Sequence, residues 1–302
     1  MKVLLIVNES ASSVTARGRV VIQKALAADH EVTLAETSRR GHATRLAQGA
    51  AATGVDAVVV LGGDGTLNEA ANGLVGSTTA LGVLPGGSTN VFARTIGMPR
   101  DPIEATGSLV AALARGSVRR VGVGSVNGRY FLFHVGIGFD AAVVQQVERR
   151  AELKRYAGHP LFIYAGFATW FRHYDRSRPR FAVSHGGDVI DDGYLTVIQN
   201  TDPYTYLGPR PLHVASEAGL DRALTAVTFR TLGFAYTLTV IGSAIRGGRL
   251  DRFRRLVYRT DLNEITVTGH GPFPYQVDGD YLGDVESLVV RYEPDALPLV
   301  SP

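Results

Sequence analysis

The sequence contains no cysteine, which excludes disulfide bonds, thiolate chemistry and zinc sites built from cysteine. Lysine is also scarce: Lys2, Lys24 and Lys154 are the only lysines among 31 basic side chains, so 28 are arginine. Arginine binds phosphate through a planar fork, which suits anionic ligands or lipid headgroups, but genomic base composition explains the bias equally well. The eight histidines include no H-x-x-x-H pair, and no G-x-S-x-G nucleophile motif occurs.

Long apolar runs are missing as well. The apolar segment LFIYAGFATWF at residues 161–171 falls far short of the roughly 20 residues that span a bilayer. Basic residues flank it on both sides, so it is predicted either to dock on an anionic membrane surface or to form a core helix with solvated ends. The N-terminal MKVLLIVN lacks the basic start and longer apolar core of a signal peptide, which predicts a cytoplasmic protein.

The 302 residues and the net charge of +3 suit a globular chain of two domains. Apolar runs at residues 3–7, 31–35, 57–61 and 80–84 alternate with helical patterns, which predicts a doubly wound parallel α/β domain over residues 1–120. From about residue 118 short strand-like segments dominate. They predict an antiparallel β-sandwich over residues 121–302, whose last residues are free to return to the first domain. Hairpin turns are expected at Asn127-Gly128, Gly186-Gly187 and Asp278-Gly279.

The motif VVVLGGDGTLNEAANGL at residues 58–74 is predicted to join a buried strand to a helix starting at Thr66. Glycines at 62, 63 and 65 let the backbone approach a ligand closely, and the amide groups at the helix start form an anion site. Asp64 would repel a phosphate unless a cation lies between them, which suggests a magnesium nucleotide. The alternative is local: Thr66 and Glu69 have the spacing of a capping box.

A second glycine turn, LPGGSTN at residues 84–90, also follows a strand. Ser88, Thr89 and Asn90 offer donors and acceptors for phosphate or ribose. The carboxyl ends of parallel strands share one sheet edge, so we expect both glycine turns to lie together there.

Two further motifs lie in the second half of the chain. GIGFDA at residues 136–141 has the loose pattern G-x-G-x-x-A, but an arginine-rich helix replaces the βαβ unit of a dinucleotide site, so a tight turn or part of a domain cleft is favoured. In Asp278-Gly279-Asp280 a hairpin turn and a catalytic base are equally compatible with the residues.

GGDGTLNEAANGL followed by LPGGSTNVFAR resembles the diacylglycerol kinase catalytic domain family, which includes bacterial lipid kinases and sphingosine kinases. GIGFDA, the stretch QNTDPYTYLGPRPLHVASEAGLDRALTAV and VDGDYLG are similar to further segments of that family. The resemblance implies ATP and Mg²⁺ as cofactors and a lipid acceptor such as diacylglycerol, in phospholipid metabolism. It also implies a cytoplasmic enzyme peripheral on the inner face of an anionic membrane, with no nucleic-acid partner and a homodimer as one option.

The resemblance also assigns residues. It implies Asp64 at the magnesium nucleotide, Asp221 at a structural magnesium and Asp280 as general base. The remaining nucleotide contacts it implies are Asn8, Gly62, Gly63, Gly65, Thr66, Glu69, Gly86, Gly87, Ser88, Thr89 and Asn90.

This chain departs from the family pattern at several positions. Asp280 replaces a glutamate, Val91 replaces a frequent aspartate, and Arg222 replaces the glycine after the metal-binding aspartate. The first loop, NESASS, lacks the usual lysine, whose charge Arg17 or Arg19 could supply. Two alternatives to a lipid kinase are therefore kept: an NAD kinase, which shares the GGDGT turn, and a non-catalytic nucleotide- or lipid-binding relic.

Overall fold

The computed structural model describes residues 1–149 and 164–302. The chain forms two compact units, described separately below. Unit 1 comprises Met1–Val123 together with Pro294–Pro302, and unit 2 comprises Gly124–Glu293.

Unit 1 alternates strands and helices. Its elements are β1 (Lys2–Val7), α1 (Ala16–Ala27), β2 (Glu31–Glu36), α2 (His42–Ala52), β3 (Ala57–Gly62), α3 (Asp64–Leu74), β4 (Ala80–Pro85), α4 (Val91–Thr95) and α5 (Pro102–Ala114). The strands pair in parallel in the order β4-β3-β1-β2. Every residue of β3 and β4 is buried, as expected for central strands covered on both faces. The predicted parallel α/β fold is confirmed.

Helix ends in unit 1 follow from local capping chemistry. Thr15 caps α1, since its Oγ1 accepts a hydrogen bond from the N–H of Gly18 at 3.0 Å. The carboxylate of Asp101 caps α5 by accepting from the N–H groups of Ile103 at 2.9 Å and Glu104 at 3.0 Å. By contrast, α3 begins at Asp64, two residues before the predicted start, and its N-cap residue, Gly63, has no capping side chain.

Unit 2 is built mainly of antiparallel strands. Its elements, two of which run into unit 1, are β5 (Val118–Val126), β6 (Arg129–Phe131), β7 (His134–Gly138), α6 (Phe139–Glu148), β8 (Phe181–His185), β9 (Asp188–Gly193), β10 (Leu195–Gln199), β11 (Thr205–Leu207), β12 (Arg210–Leu212), β13 (Leu224–Phe229), α7 (Phe234–Ile245), β14 (Leu256–Leu262), β15 (Glu264–Val277) and β16 (Asp280–Val300). Neighbouring strands run antiparallel in the order β14-β13-β10-β7-β15. The predicted C-terminal antiparallel architecture is confirmed.

All three expected hairpin turns are present in unit 2. Asn127-Gly128, Gly186-Gly187 and Asp278-Gly279 each join two paired strands. In the last of these turns Asp278 and Gly279 have φ of 49° and 85°, the left-handed backbone that Asp-Gly turns supply. Local turn chemistry therefore set the register of these hairpins.

The structure describes residues 164–171 of the apolar segment at residues 161–171. Residues 161–163, and the basic positions 150, 154 and 155 before it, lie outside the described residues. Residues 164–168 are helical, and Thr169–His173 continue as a π-helical turn. In the described ranges, no helix combines the length and apolar character needed to cross a membrane.

Candidate functional site

The two glycine turns of unit 1 are in direct backbone contact. Parallel pairing places Gly62 opposite Pro85, so β3 and β4 end side by side. The N–H of Gly86 donates to the carbonyl oxygen of Gly62 at 2.8 Å. A Cβ on Gly86 would lie 2.8 Å from the Cα of Gly62, and one on Gly87 would lie 2.8 Å from the Cα of Gly63. Only residues without a side chain bring the two turns this close.

The loop after β1 joins the same edge. The Nδ2 of Asn8 donates to the Oγ1 of Thr66 at 2.9 Å, which ties the loop to the first turn of α3. The Ser13 N–H donates to the carbonyl of Gly86 at 2.8 Å, and its Oγ donates to that of Gly87 at 3.1 Å. The structure thus brings together the two glycine turns, as expected from the sequence, and adds the loop after β1 to the same sheet edge.

Asn90 shapes the second glycine turn. It has φ 50°, and its side-chain amide closes the turn, accepting from the N–H of Gly87 at 2.8 Å and donating to its carbonyl at 2.7 Å. Ser88 is exposed and Thr89 is half-buried in the same turn. Asn90 keeps one N–H and one lone pair for a ligand after making both bonds.

Asp64 connects the two turns. Its Oδ2 accepts from the N–H of Val91 at 2.9 Å and its Oδ1 from that of Phe92 at 3.2 Å, so the carboxylate caps the short helix α4. Burial raises the pKa of Asp64, and the two N–H groups and the charge of Arg94 oppose that rise. Each carboxylate oxygen retains a lone pair, so Asp64 can still bind a cation.

The capping box, kept as the local alternative for Thr66 and Glu69, is not formed, because α3 begins at Asp64 and Glu69 has another role. Its carboxylate accepts from the N–H groups of Gly41 at 2.7 Å and Ala43 at 3.2 Å, at the start of α2. The N-terminus of a neighbouring helix offers unsatisfied N–H groups, and α2 has no capping side chain of its own. Glu69 therefore fixes α2 against α3.

The two arginines that could replace the missing lysine of the first loop, Arg17 and Arg19, differ in their surroundings. Arg19 forms ion pairs with Glu9 and Glu36, while Arg17 is exposed.

In unit 2, Asp278 and Asp280 have distinct environments. The Asp278 carboxylate accepts from the N–H groups of Leu132 at 2.8 Å, Phe133 at 3.0 Å and His134 at 2.9 Å. Burial raises the pKa of Asp278 to about 7 although these donors favour its ionised form. Asp280 is half-buried, and its Oδ2 lies 2.6 Å from the Nη2 of Arg129.

A buried network that the sequence did not indicate supports the Asp278-Gly279 turn. The Tyr204 hydroxyl donates to Asp140 at 2.6 Å, and the Gln276 amide donates to the other carboxylate oxygen at 2.8 Å. Gln276 also accepts from the N–H of Gly279 at 2.8 Å. Burial raises the pKa of Asp140, and its two side-chain hydrogen bonds oppose this. The only sequence signal was the GIGFDA motif.

The glycines of GIGFDA make this network possible. A Cβ on Gly136 would lie 1.6 Å from the Oδ2 of Asp140, so only glycine leaves room for the carboxylate. Gly138 has φ 73° and ends β7 immediately before α6. The motif therefore spans the end of β7 and the first residues of α6, with Gly138 at the junction, instead of forming a separate turn.

Asp221, the implied structural-metal residue, is exposed. Its neighbour Arg222 is paired with Asp261 at 2.9 Å. Across residues 1–149 and 164–302 no group of three His, Asp or Glu side chains is arranged to hold a metal ion. A site made of one carboxylate, backbone carbonyls and water is not tested by this absence, so the magnesium role of Asp221 stays a prediction.

Unit 1 thus belongs to the class of parallel α/β domains with glycine turns gathered at the carboxyl ends of neighbouring strands. Residues 2–126 match the family model of the diacylglycerol kinase catalytic domain. The resemblance seen in the motifs is confirmed over these residues.

Two relatives of similar sequence are named as lipid kinases. A diacylglycerol kinase of Bacillus subtilis is 40% identical over 120 residues, which cover 39% of each chain. A probable YegS-like lipid kinase of Pseudomonas aeruginosa is 32% identical over 184 residues, which cover 60% of this chain and 58% of the relative. The chain thus spans about two fifths of the length of the first of these relatives and about three fifths of the second.

Solved structures extend the similarity of fold to both units. A putative diacylglycerol kinase from Bacillus anthracis has a TM-score of 0.80 and 24% identity, covering all of this chain and 95% of that one. An NAD kinase from Archaeoglobus fulgidus in complex with ATP has a TM-score of 0.52 and 10% identity, covering 99% of this chain and 93% of that one. At these identities the comparison establishes the fold alone.

Proposed function

We propose that this protein is an ATP- and magnesium-dependent lipid kinase that transfers the γ-phosphate to a lipid hydroxyl, with diacylglycerol as acceptor and phosphatidic acid as product. The observation that carries the proposal is the contact of the two glycine turns, Gly86 N–H to Gly62 at 2.8 Å, within residues that match the diacylglycerol kinase catalytic domain. The names of the relatives support a lipid as acceptor.

The glycine turns would bind the phosphates. The N–H groups of Asp64, Gly65 and Thr66 open α3 and have no intrahelical acceptor, and no side chain of the cap residue competes for them. Together with the dipole of α3 they would stabilise negative charge at this edge. The close backbone contact leaves no side chain in the way of a phosphate.

Asp64 is the residue that would hold magnesium. Mg²⁺ is commonly bound through one or two carboxylates plus substrate phosphates and water, so a single aspartate beside a phosphate site fits it. When bound, magnesium supplies charge neutralisation at the phosphate oxygens. The hydrogen bonds from Val91 and Phe92 hold the carboxylate in a fixed orientation.

Asp280 would accept the proton of the lipid hydroxyl. It follows a turn held by Asp278 and Gln276, and Arg129 orients its carboxylate. A base acts within about 3 Å of the hydroxyl it deprotonates, so a well-positioned carboxylate serves this role. The enzyme would work in the cytoplasm, on the inner face of an anionic membrane.

Labelled ATP with magnesium, offered with a panel of dispersed lipids and with NAD, tests the proposal. Chromatography of the products is expected to show label in phosphatidic acid and to lose it when magnesium is chelated. Label in NADP instead would identify a nucleotide kinase. ATP binding without transfer to any acceptor would identify a non-catalytic relic.

A further inference from the structure

Unit 2 carries a group of exposed large apolar side chains on two helical segments. They are Tyr164, Phe167, Phe171, Phe234, Leu238 and Ile241, and together they are called the apolar face. Within α7 the last three are 44%, 45% and 41% exposed, and their i, i+4, i+7 spacing places them on one side of the helix.

The opposite side of helix α7 is buried. Thr237, Val240, Ser243 and Ala244 lie there, and Val240 and Ala244 belong to an apolar core cluster of unit 2. The whole helix, FAYTLTVIGSAI, contains no charged residue. An uncharged helix with three large apolar residues on its exposed side suits a second apolar environment there.

The two segments form a continuous surface. The ring of Phe234 lies 5.7 Å from that of Trp170, 6.0 Å from that of Phe171 and 6.5 Å from that of Phe167, measured between centroids. Phe171 itself is 66% exposed. A contiguous apolar patch of this kind marks an interaction site more often than scattered single residues do.

The edge of the apolar face is basic. Residues 164–174 and 231–250 contain no aspartate or glutamate. Arg172 and Arg246 are exposed beside Phe171 and at the end of α7, and the guanidinium carbon of Arg176 lies 4.6 Å above the Trp170 ring. Arginine and aromatic side chains around an apolar surface suit the headgroup layer of an anionic bilayer.

Acidic residues next in sequence do not cancel this charge. Asp175 is paired with Arg178, and Asp251 with Arg249, so each carboxylate is offset by its own arginine. The surface therefore combines exposed apolar area with a positive border.

We propose that the apolar face is the membrane-docking surface of this protein. Its aromatic and aliphatic side chains insert into the interfacial layer of an anionic bilayer, and its arginines contact the lipid headgroups. A second copy fits less well, because an isologous contact would bring Arg172 and Arg246 of both copies along one rim. The inference rests on the proposed function in that a lipid kinase must reach its acceptor, but binding alone tests it.

The test compares full-length variants in co-sedimentation with phosphatidylcholine vesicles containing phosphatidylglycerol. Leu238→Gln with Ile241→Gln is expected to weaken vesicle partition at least about tenfold, since it removes exposed apolar area from the inserted side. Val20→Gln with Val21→Gln is the matched control: these residues of α1 are 45% and 39% exposed, and partition should stay at the wild-type value. Phe171→Ser, outside α7, should also weaken vesicle partition and serves as the test if the α7 variant folds poorly.

Charge is tested separately. Arg172→Gln with Arg246→Gln should weaken binding to the anionic vesicles and flatten its decline with rising salt. Unchanged partition of both the α7 variant and Phe171→Ser would overturn the proposal. So would a wild-type dimer that dissociates on Leu238→Gln with Ile241→Gln while vesicle binding persists, because the face would then be a subunit interface.

The outcome is independent of the kinase assay. Phosphorylation of short-chain diacylglycerol dispersed in detergent should be the same in the wild type and in the α7 variant, since neither changed residue belongs to the proposed catalytic machinery. Absence of phosphoryl transfer in both proteins would count against the proposed function only. The vesicle assay would still show whether the apolar face binds membranes.

Discussion

Gly62 and Gly86 lie in backbone contact across two neighbouring strand ends, with the N–H of Gly86 donating to the Gly62 carbonyl at 2.8 Å. No Cβ fits on Gly86, because it would lie 2.8 Å from both the Cα and the N of Gly62. The contact holds the two glycine turns at a fixed separation. The geometry of the proposed phosphate site is therefore set by the pairing of β3 and β4 in the α/β sheet.

Gly86→Ala should lower the free energy of unfolding by about 2 kcal/mol or more and weaken ATP binding, since the Cβ forces backbone apart. Gly107→Ala is the control, an exposed glycine in α5 with nothing within 4 Å of an added Cβ. That variant should gain about 0.5–1 kcal/mol. Chemical denaturation and nucleotide titration measure both. Equal stability of the two variants would show that the turns can separate at no cost.

Asp64→Asn and Asp64→Ala should both abolish phosphoryl transfer, because neither retains a carboxylate for magnesium. Asp64→Ala should also cost about 1 kcal/mol of stability, since Val91 and Phe92 lose their cap. Asp101→Ala removes a comparable cap from α5 and should lower stability to a similar extent while preserving activity. Wild-type turnover by a folded Asp64→Ala protein would refute the magnesium role.

Asp280→Asn should reduce turnover roughly 100-fold or more, with little change in ATP affinity or melting temperature. Asp280→Glu should retain measurable activity. Asp284→Asn changes an exposed carboxylate four residues along β16, which accepts from the Tyr281 hydroxyl at 2.8 Å, and should leave turnover unaltered. Normal turnover of Asp280→Asn would move the search to Asp278, whose three backbone donors make it the better-anchored carboxylate.

His134 should make unit 2 sensitive to acid. Burial lowers its pKa to about 3, its Nδ1 has no hydrogen-bond partner among the described residues, and its ring centroid lies 4.2 Å from that of Tyr204. The unfolded chain takes up a proton near the ordinary pKa of 6.5, whereas the folded protein does so only near 3. Stability from this group is therefore complete above about pH 6.5 and is lost as pH falls towards 3.

His134→Phe removes that dependence. Relative to the variant, the wild type should lose about 1.4 kcal/mol per pH unit between pH 6 and 4. Denaturation curves at several pH values measure the difference, in which titrations common to both proteins, such as that of Asp278, cancel. The exposed His173, changed to Gln, should follow the wild-type curve. A constant difference across this range would show that His134 charges in the folded state.

Local patterns predicted much of the fold. The strand–helix alternation of unit 1 and the turns at Asn127-Gly128 and Asp278-Gly279 follow from residue periodicity and left-handed backbone preferences. One of the short strand-like segments, at residues 130–135, is divided between β6 and β7. The break between them lies where the N–H groups of Leu132 and Phe133 turn to the Asp278 carboxylate, a partner distant in sequence.

The sequence by itself determined the order of elements, the glycine turns and the family resemblance, because each depends on residues close together in the chain. Tertiary structure alone decided which partners the polar side chains took. Thr66 and Glu69 have capping-box spacing, yet α3 begins at Asp64, which places Glu69 beyond its first turn. Its carboxylate instead caps the neighbouring helix α2. The buried network of Asp140 and the exposed side of α7 likewise follow from packing between distant segments, which no local pattern encodes.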